Sequence, residues 1–195
     1  KRRKLRNKLP RLRLPAVLLL LLIGASARSA PWPADEVPFV PTPIAVVDRM
    51  LELAEVKPGD VLYDLGSGDG RVVIRAAKKY GARGVGVELD SWLAAAARAK
   101  AEEEGVGHLV EFRVEDAART DLTGATVVTL YMLPWFNAMM GPKFKSELKP
   151  GARIVSHDYG IEGWPPDKSE AFPVGETKAE GFTHAHTLYL WRIKK

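Results

Sequence analysis

The chain has 195 residues, 46% of them hydrophobic, which is enough for one sizeable core. It contains no cysteine, so disulfides, a thiol nucleophile and a thiolate metal site are excluded. The formal charge of +5 is unevenly spread: residues 1–30 hold nine of the 29 Lys and Arg and no acid, leaving 20 basic against 24 acidic residues over 31–195, a net of −4 that argues against a nucleic-acid partner.

Three segments are expected in chain order. Residues 1–30 combine a dense basic start, a leucine-rich run over 14–23 and an A-x-A site at Ala25 and Ala27, the pattern of a secretory signal peptide or a short membrane anchor. The positive-inside bias then places the following domain across or at the membrane, exported or membrane-associated. Residues 31–42 are proline-rich and extended, either as a linker or, through Phe39 and Val40, as a lid. The catalytic or binding domain is assigned to residues 43–195. Thr42 as N-cap and Pro43 at N1 open its first helix, whose Val47, Met50, Leu51 and Ala54 keep helical spacing.

A strand over 61–65 follows and turns at once through Gly66, Ser67, Gly68, Asp69 and Gly70 into a helix carrying Val72, Val73, Ile74, Ala76 and Ala77. Such a corner brings bare backbone N–H groups close to a ligand. Its pattern is G-x-G-x-G, with Arg71 where a dinucleotide fingerprint needs its third glycine. Asp64 and Asp69 would repel a pyrophosphate and attract a ligand that carries an ammonium and a sulfonium. The stretch resembles motif I of the class I S-adenosylmethionine-dependent methyltransferases, which implies S-adenosylmethionine as cofactor and Asp64, Gly66, Ser67, Gly68, Asp69 and Gly70 as binding residues.

A second strand over 84–88 ends in Glu88, 22 positions after Gly66, where an acid reaches ribose hydroxyls in α/β nucleotide folds. Asp90 or Ser91 caps the next helix, which closes before Gly105. A third strand is expected over 109–114. By the same resemblance Asp116, with Glu115 as the alternative, holds an adenine amino group and Ala117 offers its backbone N–H to the ring. The apolar run 126–131 has the composition of a strand buried on both faces and leads into Tyr131-Met132-Leu133-Pro134. Nucleic-acid amino-methylating enzymes carry a D/N-P-P-Y type signature at this place; the missing Asp or Asn argues against base methylation. Tyr131 and Trp135 suit an aromatic passage for an aliphatic amine.

A helix over 134–148 precedes a fifth strand over 152–156, after which His157, Asp158 and Tyr159 stand at a C-terminal strand end as substrate-side candidates. Trp164 sits in a loop that either covers the site or fills a surface gap. The remainder reads as an antiparallel hairpin, with strands at 172–178 and 183–191 and a turn at Glu180-Gly181. His184 and His186 share a face of the last strand, but the sequence offers no third ligand and no metal centre is expected.

Strands alternating with helices, then a hairpin, match an α/β fold, the Rossmann-like seven-stranded class I methyltransferase sheet, parallel with an antiparallel C-terminal hairpin and flanked by helices. P-F-V-P-T at 38–42, D-L-G-S-G-D-G-R at 64–71, G-V-E-L-D-S-W-L at 86–93 and the apolar leader together resemble the membrane-anchored protein-lysine methyltransferase family, with Asp90-Ser91 where that family commonly has Asn-Pro. The resemblance implies an N-methyltransferase acting on a protein lysine, tied to the membrane through its N-terminal segment if that is uncleaved. Deprotonation of the lysine would be favoured by burial among Tyr131, Trp135 and Tyr159, with His157 or Asp158 receiving the proton. A small-molecule methyltransferase and a non-catalytic ligand-binding module of the same fold are the alternative readings.

Overall fold

In the computed structural model, residues 39–173 and 185–194 are described. The leader, residues 31–38, the Glu180-Gly181 turn and His184 lie outside them. Seven strands, β1 (Val61–Leu65), β2 (Arg83–Glu88), β3 (Val110–Val114), β4 (Val127–Leu130), β5 (Arg153–His157), β6 (Lys168–Pro173) and β7 (Ala185–Arg192), form one sheet in the order β3-β2-β1-β4-β5-β7-β6. The first five run parallel, and β7 enters antiparallel between β5 and β6.

Alternation along the strands builds two cores. Leu62, Val127, Val155 and Leu190 face one side, which is covered by α1 (Ile44–Leu53), α2 (Arg71–Tyr80) and α3 (Ser91–Glu103). Tyr63, Val128, Ile154 and Trp191 face the other, covered by α4 (Pro134–Glu147). No helix is assigned between β3 and β4; Ala117, Leu122 and Ala125 of that connection pack directly onto the second face. Among the described residues no helix is long and apolar enough to cross a membrane.

Beneath the sheet's N-terminal end, Asp60 and Arg153 form a buried pair. Arg153 donates to both Asp60 oxygens at 3.1 and 2.7 Å and to the Ala54 carbonyl at 2.9 Å. Asp60 also accepts from Thr126 Oγ1 at 2.7 Å and Lys57 N–H at 3.0 Å. One network therefore ties the end of α1 to the starts of β1, β4 and β5.

The alternation of elements follows the sequence expectation, with two local differences and one choice between alternatives resolved. Thr42 does not cap α1: Pro43 occupies the N-cap position without a side-chain bond, and the Thr42 hydroxyl points instead to His157. Asp90, not Ser91, caps α3 by accepting from the N–H groups of Trp92 and Leu93. The hairpin's first strand begins earlier than residue 172, because Asp167 fixes the register by donating its N–H to the Leu190 carbonyl and accepting the Arg192 N–H, so pairing begins at Lys168; residues 174–178 lie outside the described part.

Candidate active site

The C-terminal ends of β1, β2 and β4 open onto a cavity of about 540 Å3, within the range of roughly 300–1,000 Å3 usual for small-molecule sites. Asp64, Glu88 and Asp116 all line it, as do Gly66, Ser67 and Ala117. The three carboxylates expected to meet do meet.

Each carboxylate is held differently. Asp64 is 5% exposed and accepts from Thr129 Oγ1 at 2.7 Å. Burial pushes its carboxyl up to about 7, Thr129 works against this, and the charges of Glu88 and Asp69 add to it. Glu88 accepts the Gly68 N–H on one oxygen at 2.8 Å and the Asp90 N–H on the other at 3.0 Å. Each oxygen retains a lone pair for one further donor, so the carboxylate fits a pair of vicinal hydroxyls while pinning the glycine corner to β2. Asp116 accepts the Ala118 N–H at 2.9 Å and lies 3.7 Å from Arg119 Nε. Its rival Glu115 also borders the cavity but accepts from Thr120 Oγ1 at 3.0 Å.

Two corner residues are engaged elsewhere. Asp69 borders the cavity, yet both its oxygens accept from Arg71, at 2.9 and 2.7 Å, so its carboxylate is committed to that pair and its charge, partly offset there, reaches the cavity chiefly by helping to raise Asp64. Gly70 has φ +76°, and a Cβ there would stand 2.6 Å from the Phe112 ring and 2.9 Å from Ala97 Cβ; it permits close packing of the corner on β3 and α3 and does not line the cavity. Gly68, with φ +53°, abuts the cavity wall itself: a Cβ there would overlap the ring of Phe39, which lines the cavity.

Phe39, Val40, Pro41 and Thr42 form one wall of the cavity. Arg71 Nη1 donates to the Thr42 carbonyl at 2.8 Å, so the arginine that replaces a third glycine holds this strap in place. Residues 39–42 therefore lie directly against the cavity. Thr42, Arg71 and Thr129 do not stand out as binding candidates in the sequence; only the position of Arg71 in the broken fingerprint hints at one of them.

The expected substrate-side residues cluster at the β4–β5 end. Tyr131 lines the cavity; His157, Asp158 and Tyr159 stand behind it. The Tyr131 ring lies 3.9 Å from that of His157 and 6.3 Å from that of Tyr159, stacked on the latter. Burial, then the Asp158 charge, push the Tyr131 hydroxyl up to about 12. His157 is fully buried, and burial pushes its imidazole down to about 4, with Asp158 opposing and His186 assisting. Asp158 adopts a left-handed backbone with φ 60°, held by exchange of hydrogen bonds with Thr187. Trp135 is 39% exposed and packs edge-on against Phe136 without lining the cavity, so of the aromatic residues expected to form a passage only Tyr131 lines it, with Tyr159 stacked behind. Trp164 receives the Trp191 indole N–H on its carbonyl and sits under Lys145, away from the site.

The residues present fit S-adenosylmethionine on an observation independent of resemblance: Ser67 Oγ is buried at the cavity wall with no protein partner, beside three carboxylates suited to a cationic nucleoside. A 3-2-1-4-5-7-6 sheet with a glycine corner and acids at the ends of its first two strands defines a class I S-adenosylmethionine-dependent methyltransferase. Comparison with known proteins agrees. Residues 64–168 match the model of the ANTKMT methyltransferase domain, and the chain belongs to that family. A protein-lysine N-methyltransferase of Saccharolobus islandicus is 42% identical over 158 residues, covering 80% of this chain and 94% of that protein. The adenine nucleotide translocase lysine N-methyltransferase of Mus musculus is 34% identical over 67% of this chain, which spans 57% of that relative's length. Among solved structures, an RNA methyltransferase from Salinibacter ruber in complex with S-adenosyl-L-homocysteine superimposes with a TM-score of 0.71 at 50% identity, covering 80% of this chain and 95% of the other.

Asp64 makes donor binding depend on pH in a definite direction. Its carboxyl, pushed up to about 7 by burial, carries a proton in the free protein at pH values below neutrality. A cationic donor favours the ionised form, so binding expels a proton below that pH and none above it. Affinity for S-adenosylmethionine should therefore rise as pH climbs toward and through 7, then level off. In Asp64→Asn the slope should vanish; calorimetry at several pH values checks both.

Proposed function

We propose that the protein transfers methyl groups from S-adenosylmethionine to the side-chain amine of a protein lysine. The observation that carries the reading is the paired arrangement of an acid-lined cavity and, at its β4 end, Tyr131 in the cavity wall with Tyr159 stacked on it and Asp158 behind. The lysine substrate of the 42%-identical Saccharolobus relative supports the same acceptor.

Bound in the cavity, S-adenosylmethionine supplies a methyl group already activated on a sulfonium. The protein's share is then alignment of the acceptor and exclusion of water. Glu88 is assigned to the ribose hydroxyls, Asp116 and the Ala117 N–H to the adenine, and Asp64 and Ser67 to the polar groups beside the glycine corner. Tyr131 and Tyr159 flank the incoming amine, whose ammonium form is drawn by their faces and by Asp158, and whose proton passes to Asp158 before the nitrogen accepts the methyl group. His157, packed against Tyr131, positions that ring. Residues 1–30, outside the described part, are read as an export signal or membrane anchor that brings the domain to its substrates.

One observation favours a second acceptor: the Salinibacter neighbour is described as acting on RNA. Against it stand the net negative charge of residues 31–195 and the absence of Asp or Asn at 131–134. Incubating the protein and labelled donor with separate membrane, soluble-protein and RNA fractions, followed by mass spectrometry, decides the matter. Label on lysine side chains is expected; label confined to RNA, or to metabolites in a protein-free extract, would overturn the proposal.

A further inference from the structure

From the geometry of β5 and β7 we infer a divalent-cation site, suited to Zn2+, formed by His157 Nε2, Asp158 Oδ2 and His186 Nδ1. The register that sets His157 opposite Leu188 brings His186, two residues earlier on β7, over the end of β5. The ligand atoms make a small triangle: 3.3 Å from Asp158 Oδ2 to each histidine nitrogen and 2.7 Å between the nitrogens. Tetrahedral coordination at about 2.0–2.1 Å separates neighbouring ligand atoms by about 3.3–3.4 Å. Two edges match already, and the third needs to open by about 0.6 Å to reach that spacing, exchanging a histidine–histidine hydrogen bond for two metal bonds.

The surroundings strengthen the assignment, because metal ligands are ordinarily oriented through the atom that does not touch the metal. Thr42 Oγ1 lies 3.2 Å from His157 Nδ1. The tautomer with its proton on Nδ1, donated to Thr42, leaves the Nε2 lone pair facing into the triangle. Asp158 Oδ1 accepts the Thr187 N–H at 2.9 Å, which turns Oδ2 the same way. Two of three candidate ligands are thus pre-set by partners outside the triangle. His186 is the adaptable member: its Nδ1 donates to His157 without metal and ligates once the ring carries its proton on Nε2. The site lies at the acceptor end, against Tyr131, so an ion there would occupy the carboxylate assigned above to attracting the substrate ammonium and would act as a brake on transfer.

The test uses the full chain and reads metal uptake directly, so its result does not depend on which acceptor the enzyme methylates. Zn2+ is titrated by calorimetry, and Co2+ is added as a spectroscopic probe of coordination. One saturable Zn2+ per chain and a tetrahedral-type Co2+ absorption are expected. His186→Asn should weaken Zn2+ binding by about tenfold or more, as should Asp158→Asn, which tolerates the left-handed backbone. Retained binding of S-adenosylhomocysteine certifies that each variant is folded. His108→Asn, remote from the cluster, should bind Zn2+ as the parent does. No saturable uptake by protein that binds S-adenosylhomocysteine, uptake undiminished in both cluster variants, or uptake abolished by His108→Asn would overturn the assignment.

Discussion

Glu88→Ala should weaken S-adenosylmethionine binding roughly a hundredfold, the equivalent of about 3 kcal/mol for two charge-assisted hydrogen bonds at the low end of their usual strength. The figure follows from a carboxylate with one free lone pair on each oxygen after the Gly68 and Asp90 N–H groups are served. The same substitution frees the Gly68 N–H, so part of the loss will come from a loosened corner. A thermal melt without ligand measures that part, and calorimetry with S-adenosylmethionine and S-adenosylhomocysteine measures the whole. Glu88→Gln separates the two further. Its amide presents one NH2 to a backbone donor, so it keeps one of the two backbone contacts and should fall between parent and alanine. If Glu88→Ala bound the donor with parental affinity, the ribose assignment would be wrong.

Asp60→Ala should cost about 3–5 kcal/mol of folding stability, the penalty for leaving a buried guanidinium without its partner. Asp60 is 4% exposed and Arg153 8%, and the pair lies at the opposite end of the strands from the cavity. Urea denaturation should show a lower midpoint, and binding of S-adenosylhomocysteine should survive wherever the protein remains folded. Replacing both partners, as Asp60→Ala with Arg153→Met, should recover part of the loss, because the unpaired charge goes too. The pair also carries a pH signature. Burial alone would raise the Asp60 carboxyl, but hydrogen bonds from Arg153, Thr126 and the Lys57 N–H prevail and hold it below 3.8. A carboxyl lowered in the folded state stabilises above its unfolded value and loses that contribution as pH falls through its folded one. The effect of the substitution should therefore be full at neutral pH and shrink only in acid.

Much of the cofactor half could be read from the chain because its signals are local. Hydrophobic runs, a glycine corner and an acid at a fixed distance each depend on a few neighbouring residues, and the structure places Asp64 and Glu88 around one cavity as those signals imply, with Asp116, which only the family resemblance singles out, beside them. Asp69 misleads because a carboxylate in the corner looks available until Arg71, two residues on, is seen folding back onto it. The acceptor half is harder to read because it depends on strand register. Nothing in the spacing of His184 and His186 says that β7 inserts beside β5, and only that pairing turns His186 toward His157. Thr42 shows the same limit: next to Pro43 it reads as a helix cap, and only the packed molecule shows its hydroxyl on a histidine 115 residues away.

Thr42 also changes where the working unit starts. Its carbonyl is tied to Arg71 beside the glycine corner and its hydroxyl to His157 beside Tyr131, so one residue links the corner to the end of β5 where the acceptor is proposed to enter. A truncation beginning at Pro43 would preserve every helix and strand described and still remove a wall of the active site, together with the link between its ends. Such a protein could melt normally and turn over poorly, a combination easily mistaken for the wrong substrate.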